Sequence, residues 1–117
     1  MRDRVPVWLQ DVLKAIGLLR QFRSGRRRED LDGDALFKSA VERQLSIVGE
    51  ALSRAAGAAP DLKDRISDFR QIVSLRNILI HGYAGVRSDL LWPLFDADLP
   101  RLEGEVKAIL DSWKSSP

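Results

Sequence analysis

Apolar residues recur at intervals of three and four along almost the whole 117-residue chain, and no stretch alternates Val or Ile with polar residues as a half-buried strand would. That periodicity restricts the chain to an all-α fold. A chain of this length can bury roughly two thirds of its unfolded surface without a disulfide or a metal. The expected architecture is therefore an up-and-down bundle of four to five helices around one core, with residues 1–117 forming a single domain.

Punctuation in the sequence sets the expected helix ends. The first helix is predicted from near Val5 to Phe22, with Pro6 in its first turn and Trp8, Val12, Ile16 and Leu19 as a stripe. It runs into an arginine-rich loop, SGRRRED. A second helix should start near Asp32 to Asp34, whose carboxylates suit a helix N-terminus, and run to about Ala56. Its buried face is Phe37, Val41, Leu45, Val48 and Leu52. Gly49 inside that helix costs about 1 kcal/mol relative to alanine, which a close helix crossing would explain. The segment Gly57 to Pro60 breaks the pattern. A third helix, from Leu62 or Ser67, carries FRQIVSLRNILIH and stops at Gly82. Ser88-Asp89 reads as the start of a fourth, with Pro93 near its first turn and Pro100 breaking or kinking it before RLEGEVKAILDSW, so two helical pieces are expected there.

Several function classes fall away on composition. The chain has no cysteine and one histidine, His81, which excludes thiol nucleophiles, zinc fingers, iron–sulfur clusters and multi-histidine metal sites. No metal or other cofactor is expected. No apolar stretch approaches the roughly 20 residues of a membrane span, and the start MRDRVPVWLQD lacks a signal-peptide segment, so a soluble cytoplasmic protein with no membrane partner is expected. The formal net charge is only +2, but Arg20, Arg23, Arg26, Arg27 and Arg28 crowd one short stretch. Such a cluster can meet phosphates or can be a solvated loop.

The stretch Arg76-Asn77-Ile78-Leu79-Ile80-His81-Gly82-Tyr83 is the unusual one. At about 100° per residue, Phe69, Ile72, Val73, Arg76, Ile80 and Tyr83 fall along one side of the helix, so Arg76 interrupts an apolar stripe. Beside it runs a wholly polar row of Arg70, Ser74, Asn77 and His81. An arginine held partly out of water needs an anionic partner, because an unpaired charge there costs several kcal/mol. A phosphate would serve, and so would a carboxylate such as Glu42, Glu50 or Asp89. Glu50 on the second helix is a candidate for orienting the arginine. A lone histidine at a helix C-terminus can equally be a dipole partner.

Together, Arg76 and His81 form a minimal kit for cutting RNA without a metal. An imidazole of pKa near 6.5 exchanges a proton with the 2′-hydroxyl or the leaving oxygen at neutral pH, and a guanidinium braces the pentacovalent phosphate. The products would be a 2′,3′-cyclic phosphate and a 5′-hydroxyl. Cleavage needs one acid and one base, yet the chain has one histidine. A two-fold homodimer would supply both from two copies across one cleft. Arg26, Arg27, Arg28 and Arg70 are the basic candidates for contacting RNA outside the cut.

RNILIHGY matches the RxxxxHxY pattern of the HepT-like branch of the HEPN superfamily. Upstream, AVERQLSIVGEALSRA resembles that family's second-helix signature. Downstream, DLLWPLFDADLPRLEGEVKAIL is similar to its final helices, so the likeness spans roughly Val5 to Trp113. One departure is visible, because Phe69 is the nearest aromatic where the family often carries a tryptophan before the motif helix. The resemblance implies a dimeric, metal-independent ribonuclease toxin of a bacterial toxin–antitoxin pair, with Arg76 and His81 catalytic and Asn77 as polar companion. It also implies a nucleotidyltransferase antitoxin of the MNT type that adds AMP to Tyr83. Two alternatives remain open on sequence: a non-catalytic module that binds nucleotides, RNA or a partner, and a structural helical dimer in which Arg76 merely pairs with Glu50.

Overall fold

A computed structural model describes residues 2–80 and 88–114, and among these every regular element is helical. Four long helices carry the fold: α1 (Val5–Arg23), α3 (Ala35–Ala58), α5 (Phe69–Ile80) and α7 (Asp98–Lys114). Three one-turn helices join them: α2 (Asp30–Gly33), α4 (Leu62–Arg65) and α6 (Ser88–Leu91). The arrangement is the all-α, HEPN-like bundle that the periodicity and the resemblance predict.

Helix α1 begins with Pro6 in its first turn and ends where Gly25, at φ 75°, takes the left-handed conformation that a side chain disfavours. Its core face is Val5, Leu9, Val12, Ile16 and Leu19, while Trp8 is half-buried against that core. The loop that follows is shorter than expected because Asp30–Gly33 forms the extra turn α2, with Leu31 buried beneath it. Asp34 then caps α3, its Oδ1 accepting a hydrogen bond from the Phe37 N–H at 3.1 Å. The five expected residues of the α3 face are all buried, and Val41 and Val48 are fully inaccessible. Each such side chain contributes about 1.5–3 kcal/mol by leaving water. No polar or charged side chain is buried among the described residues.

Of the two starts expected for the third helix, the one near Ser67 is observed. Leu62–Arg65 closes one turn, and α5 starts only at Phe69. Helix α7 fixes that start: the Ser67 hydroxyl donates to Glu105 Oε2 at 2.6 Å, and Arg101 meets Asp68 at 2.7 Å. Two helical pieces follow the motif region as expected, but the break does not fall at Pro100. It falls at Asp96-Ala97, after the 3-10 turn Trp92–Phe95, and Pro100 sits in the first turn of α7. A proline is harmless there, because the first-turn N–H groups have no partner within the helix.

Helix α3 packs on α1 along one side and on α5 along the other, and α7 packs on α1. Arg76 and Asn77 therefore lie on a helix held by α3 along its length and by α7 at its entrance.

Candidate active site

The face that α5 turns to the core is displaced from the one its sequence suggests. Phe69, Ile72, Leu75 and Leu79 pack against the core, with Ile72 and Leu75 opposite Leu45 and Val48 of α3, whereas Val73 is only half-buried. Arg76 consequently stands at the border of the apolar face rather than interrupting it. Its side chain keeps 25% exposure, so it is neither buried in the core nor free in solvent.

Gly49 makes this position possible. It is buried where α3 and α5 cross, and a β-carbon there would collide with Cβ of Arg76 and lie 3.1 and 3.3 Å from its Cγ and Cδ. The close crossing expected at Gly49 is thus made by Arg76 itself. Beyond the stem, Arg76 forms an ion pair with Glu50, and its Nη1 donates to Asn77 Oδ1 at 3.0 Å. Arg76 Nε is sealed from solvent and has no hydrogen-bond partner among the described residues. Glu50 also accepts from Arg54 Nε at 2.9 Å, one turn further along α3. The hydrogen bond from Arg54, with the charge of Arg76 behind it, holds the Glu50 carboxyl below the usual range, so it is ionised at neutral pH. Of the three carboxylates considered for Arg76, Glu50 is the observed partner. Two adjacent α3 residues, a glycine and a glutamate, thus cradle one arginine by shape and by charge.

Along the neighbouring face of α5, Arg70, Ser74 and Asn77, three of the four residues of the expected polar row, are all exposed. Arg70 has no ion-pair partner among the described residues. His81 and Tyr83 lie outside the described residues. At the start of α6 the Ser88 hydroxyl hydrogen-bonds Asp32 Oδ2 at 3.0 Å, which sets α6 beside α2. Among the described residues no group of three or more His, Cys, Asp or Glu side chains is gathered closely enough to hold a metal ion.

The arginine cluster proves heterogeneous. Arg20 is bound by Glu103 through two hydrogen bonds, 2.8 and 3.2 Å, and Arg23 by Asp96 through two, 2.7 and 2.9 Å. Arg23 also lies over the rings of Trp92 and Phe95, at 5.0 and 5.6 Å. Arg26 pairs with Asp34 at 2.6 Å and covers Phe37 at 5.0 Å. These three guanidiniums tie α1 and its loop to the rest of the bundle. Arg27 and Arg28 are exposed and have no ion-pair partner among the described residues, so they are the part of the cluster left open to phosphate. Sequence reasoning did not single out Arg54. Its i, i+4 spacing from Glu50 was the available signal.

An all-α bundle of this kind is a HEPN-like fold. The chain belongs to the HepT-like ribonuclease family, whose model matches residues 12–109. It is 32% identical over 102 residues to "Probable ribonuclease HepT" of Thermococcus cleftensis, covering 87% of this chain and 92% of that one. It is 31% identical over 107 residues to "Putative RNase MJ1380" of Methanocaldococcus jannaschii, covering 90% and 95%. A third relative from the same archaeon, "Gamma-glutamylcyclotransferase and putative RNase MJ0434", is 27% identical over 111 residues, and the chain spans only 50% of its length. No solved structure matches the chain significantly. Among the described residues no helix is long and apolar enough to cross a membrane.

Proposed function

We propose that this chain is a metal-independent endoribonuclease that acts through Arg76 and His81. The observation that carries the reading is the way Arg76 is held. Its stem is locked against Gly49, Glu50 and Asn77 restrain its head, and the side chain keeps partial exposure. Donors fixed in advance stabilise developing charge without reorganising at the moment of reaction. His81, five residues on, takes the 2′-hydroxyl proton as that oxygen attacks phosphorus. Arg76 donates to the non-bridging oxygens of the pentacovalent phosphate, with Asn77 steadying it. A second imidazole protonates the departing 5′-oxygen, leaving a 2′,3′-cyclic phosphate and a 5′-hydroxyl.

With one histidine per chain, the second imidazole comes from a second copy, so the working unit is a two-fold homodimer with both motifs at one cleft. The same reading makes the protein a cytoplasmic toxin, restrained by a nucleotidyltransferase antitoxin that attaches AMP to Tyr83. Phosphates added next to the cleft would compete with RNA for Arg76. Arg27, Arg28 and Arg70 then serve as outlying phosphate contacts.

The test is cleavage of total RNA by unmodified protein in excess EDTA, alongside His81→Ala and Arg76→Ala. Cleavage that survives chelation, yields cyclic phosphate ends and vanishes in both variants is the expected result. Absence of cleavage by protein shown by mass spectrometry to carry unmodified Tyr83 would favour a binding module instead. The Arg76–Glu50 ion pair supports a second reading, in which the arginine serves only the α3–α5 crossing. The stability of Arg76→Ala separates the two.

A further inference from the structure

Glu50 is shared. Arg76 holds one carboxylate oxygen and Arg54 the other, so two guanidiniums grip a single carboxylate. Two hydrogen bonds and a carboxylate span about 8 Å at most, so the two cations stand close together on either side of Glu50. The Arg54 side chain is 61% exposed and makes no further ion pair among the described residues.

From Glu50 and Arg54 an open groove of about 490 Å³ runs between α1 and α3, in the size range of ligand sites. Its α3 wall is Arg43, Ser46, Ile47, Glu50, Ala51 and Arg54, and Trp8 and Asp11 of α1 face them. Arg43 is exposed and has no ion-pair partner among the described residues. Arg43, Glu50 and Arg54 recur at intervals of seven and four, hence on one face of α3. Within the groove Arg43 and Arg54 balance Asp11 and Glu50, and the guanidinium of Arg76, reaching Glu50 from α5, adds one further positive charge at the Glu50 end.

We propose that Arg54 and Arg43 form a phosphate track: single-stranded RNA whose scissile phosphate sits at Arg76 lays its next phosphates along the α1–α3 groove. The proposal rests on the ribonuclease reading of Arg76 and adds where the rest of the strand goes. Single-stranded nucleic acid is held by basic residues that follow the backbone, with affinity that falls as salt rises in proportion to the phosphates neutralised. Arg54 is the nearer contact, because Glu50 presets its distance from Arg76. Arg43 is the further one, independent of that carboxylate.

Binding of a fluorescein-labelled single-stranded RNA of about a dozen nucleotides, within the usual footprint of such sites, is measured against salt for His81→Ala protein and for the same protein carrying Arg43→Gln or Arg54→Gln. Cleavage of the oligonucleotide and of a dinucleoside monophosphate is measured in the His81 background. Each glutamine variant should weaken oligonucleotide binding and lower the log–log salt slope by about one. In cleavage the loss should fall on KM for the oligonucleotide. Unchanged slopes, with active wild-type protein, overturn the track and leave the ribonuclease reading intact. A fall in kcat on the dinucleoside monophosphate for Arg54→Gln, with an unchanged slope for Arg43→Gln, means that Arg54 acts only by holding Glu50, and also overturns it. Altered sedimentation without a change in slope assigns the groove to contact between copies of the chain, which overturns it too. Lowered slopes beside wild-type protein that cleaves neither RNA keep the track as an RNA-binding site and remove the ribonuclease reading.

Discussion

Replacing Gly49 by alanine puts two opposed effects on one atom. In the middle of a helix, alanine is favoured over glycine by about 1 kcal/mol. Against that, the new β-carbon collides with Cβ of Arg76, a stem atom that cannot swing away as a side-chain tip would. Overpacking of this kind costs about 1–3 kcal/mol, so Gly49→Ala should lose about 1 kcal/mol net and melt about 4 °C lower. The effect on chemistry should be larger. Relief of the collision moves Arg76, and a displacement of about 1 Å at a catalytic group costs on the order of 100-fold in rate. Gly17→Ala in α1 and Gly104→Ala in α7 are the controls, since a β-carbon at either meets no neighbouring atom within 4 Å. Each should gain about 0.5–1 kcal/mol and retain full cleavage. Thermal melts and initial rates of RNA cleavage on all three variants decide the matter. A Gly49→Ala protein as stabilised as Gly104→Ala and fully active would refute the close crossing and the role given to Arg76.

Arg76→Ala should lower stability by less than about 1 kcal/mol in a urea titration, because the ion pair is partly exposed and Glu50 keeps Arg54. A loss of several kcal/mol would instead make the arginine a structural strut. Glu103, held by hydrogen bonds from Arg20, has a folded pKa below its ordinary value. Its contribution is therefore complete above the unfolded carboxylate pKa and disappears as pH falls from about 4.5 through the folded value. Glu103→Gln should flatten the melting temperature across that acid window, and an unaltered profile would count against the pair. Leu102, fully inaccessible in α7, should cost about 2–5 kcal/mol on truncation to alanine, read from the denaturation midpoint.

Much of the fold is legible without coordinates, because helical periodicity, caps and breakers act within a few residues of themselves. The bounds of α1, the Asp34 cap and the buried face of α3 follow from local spacing, and so does the existence of a close crossing at Gly49. The likeness carried by RNILIHGY and IVGEA points to the family on its own. Less legible are the one-turn helices α2 and α4, where tertiary burial of Leu31 and Leu62 stabilises a turn too short to announce itself in periodicity.

Which residues share a helix is therefore a property of the sequence, and which helices share a residue is not. The azimuth of α5 illustrates the difference. Spacing alone centres its inner face near Arg76, but packing on Leu45 and Val48 rotates that face toward Leu75 and Leu79 and brings the arginine to the border. The same holds for charge. Arg20 and Arg23 find their carboxylates 83 and 73 residues away, where no local rule can assign them, and a sequence view counts both among a basic patch that tertiary pairing largely dissolves. Local spacing determined the helices and the motif. Only the crossing of α3 with α5 decided that Gly49 and Glu50 hold Arg76, because helix orientation is set by side chains distant in sequence competing for one core.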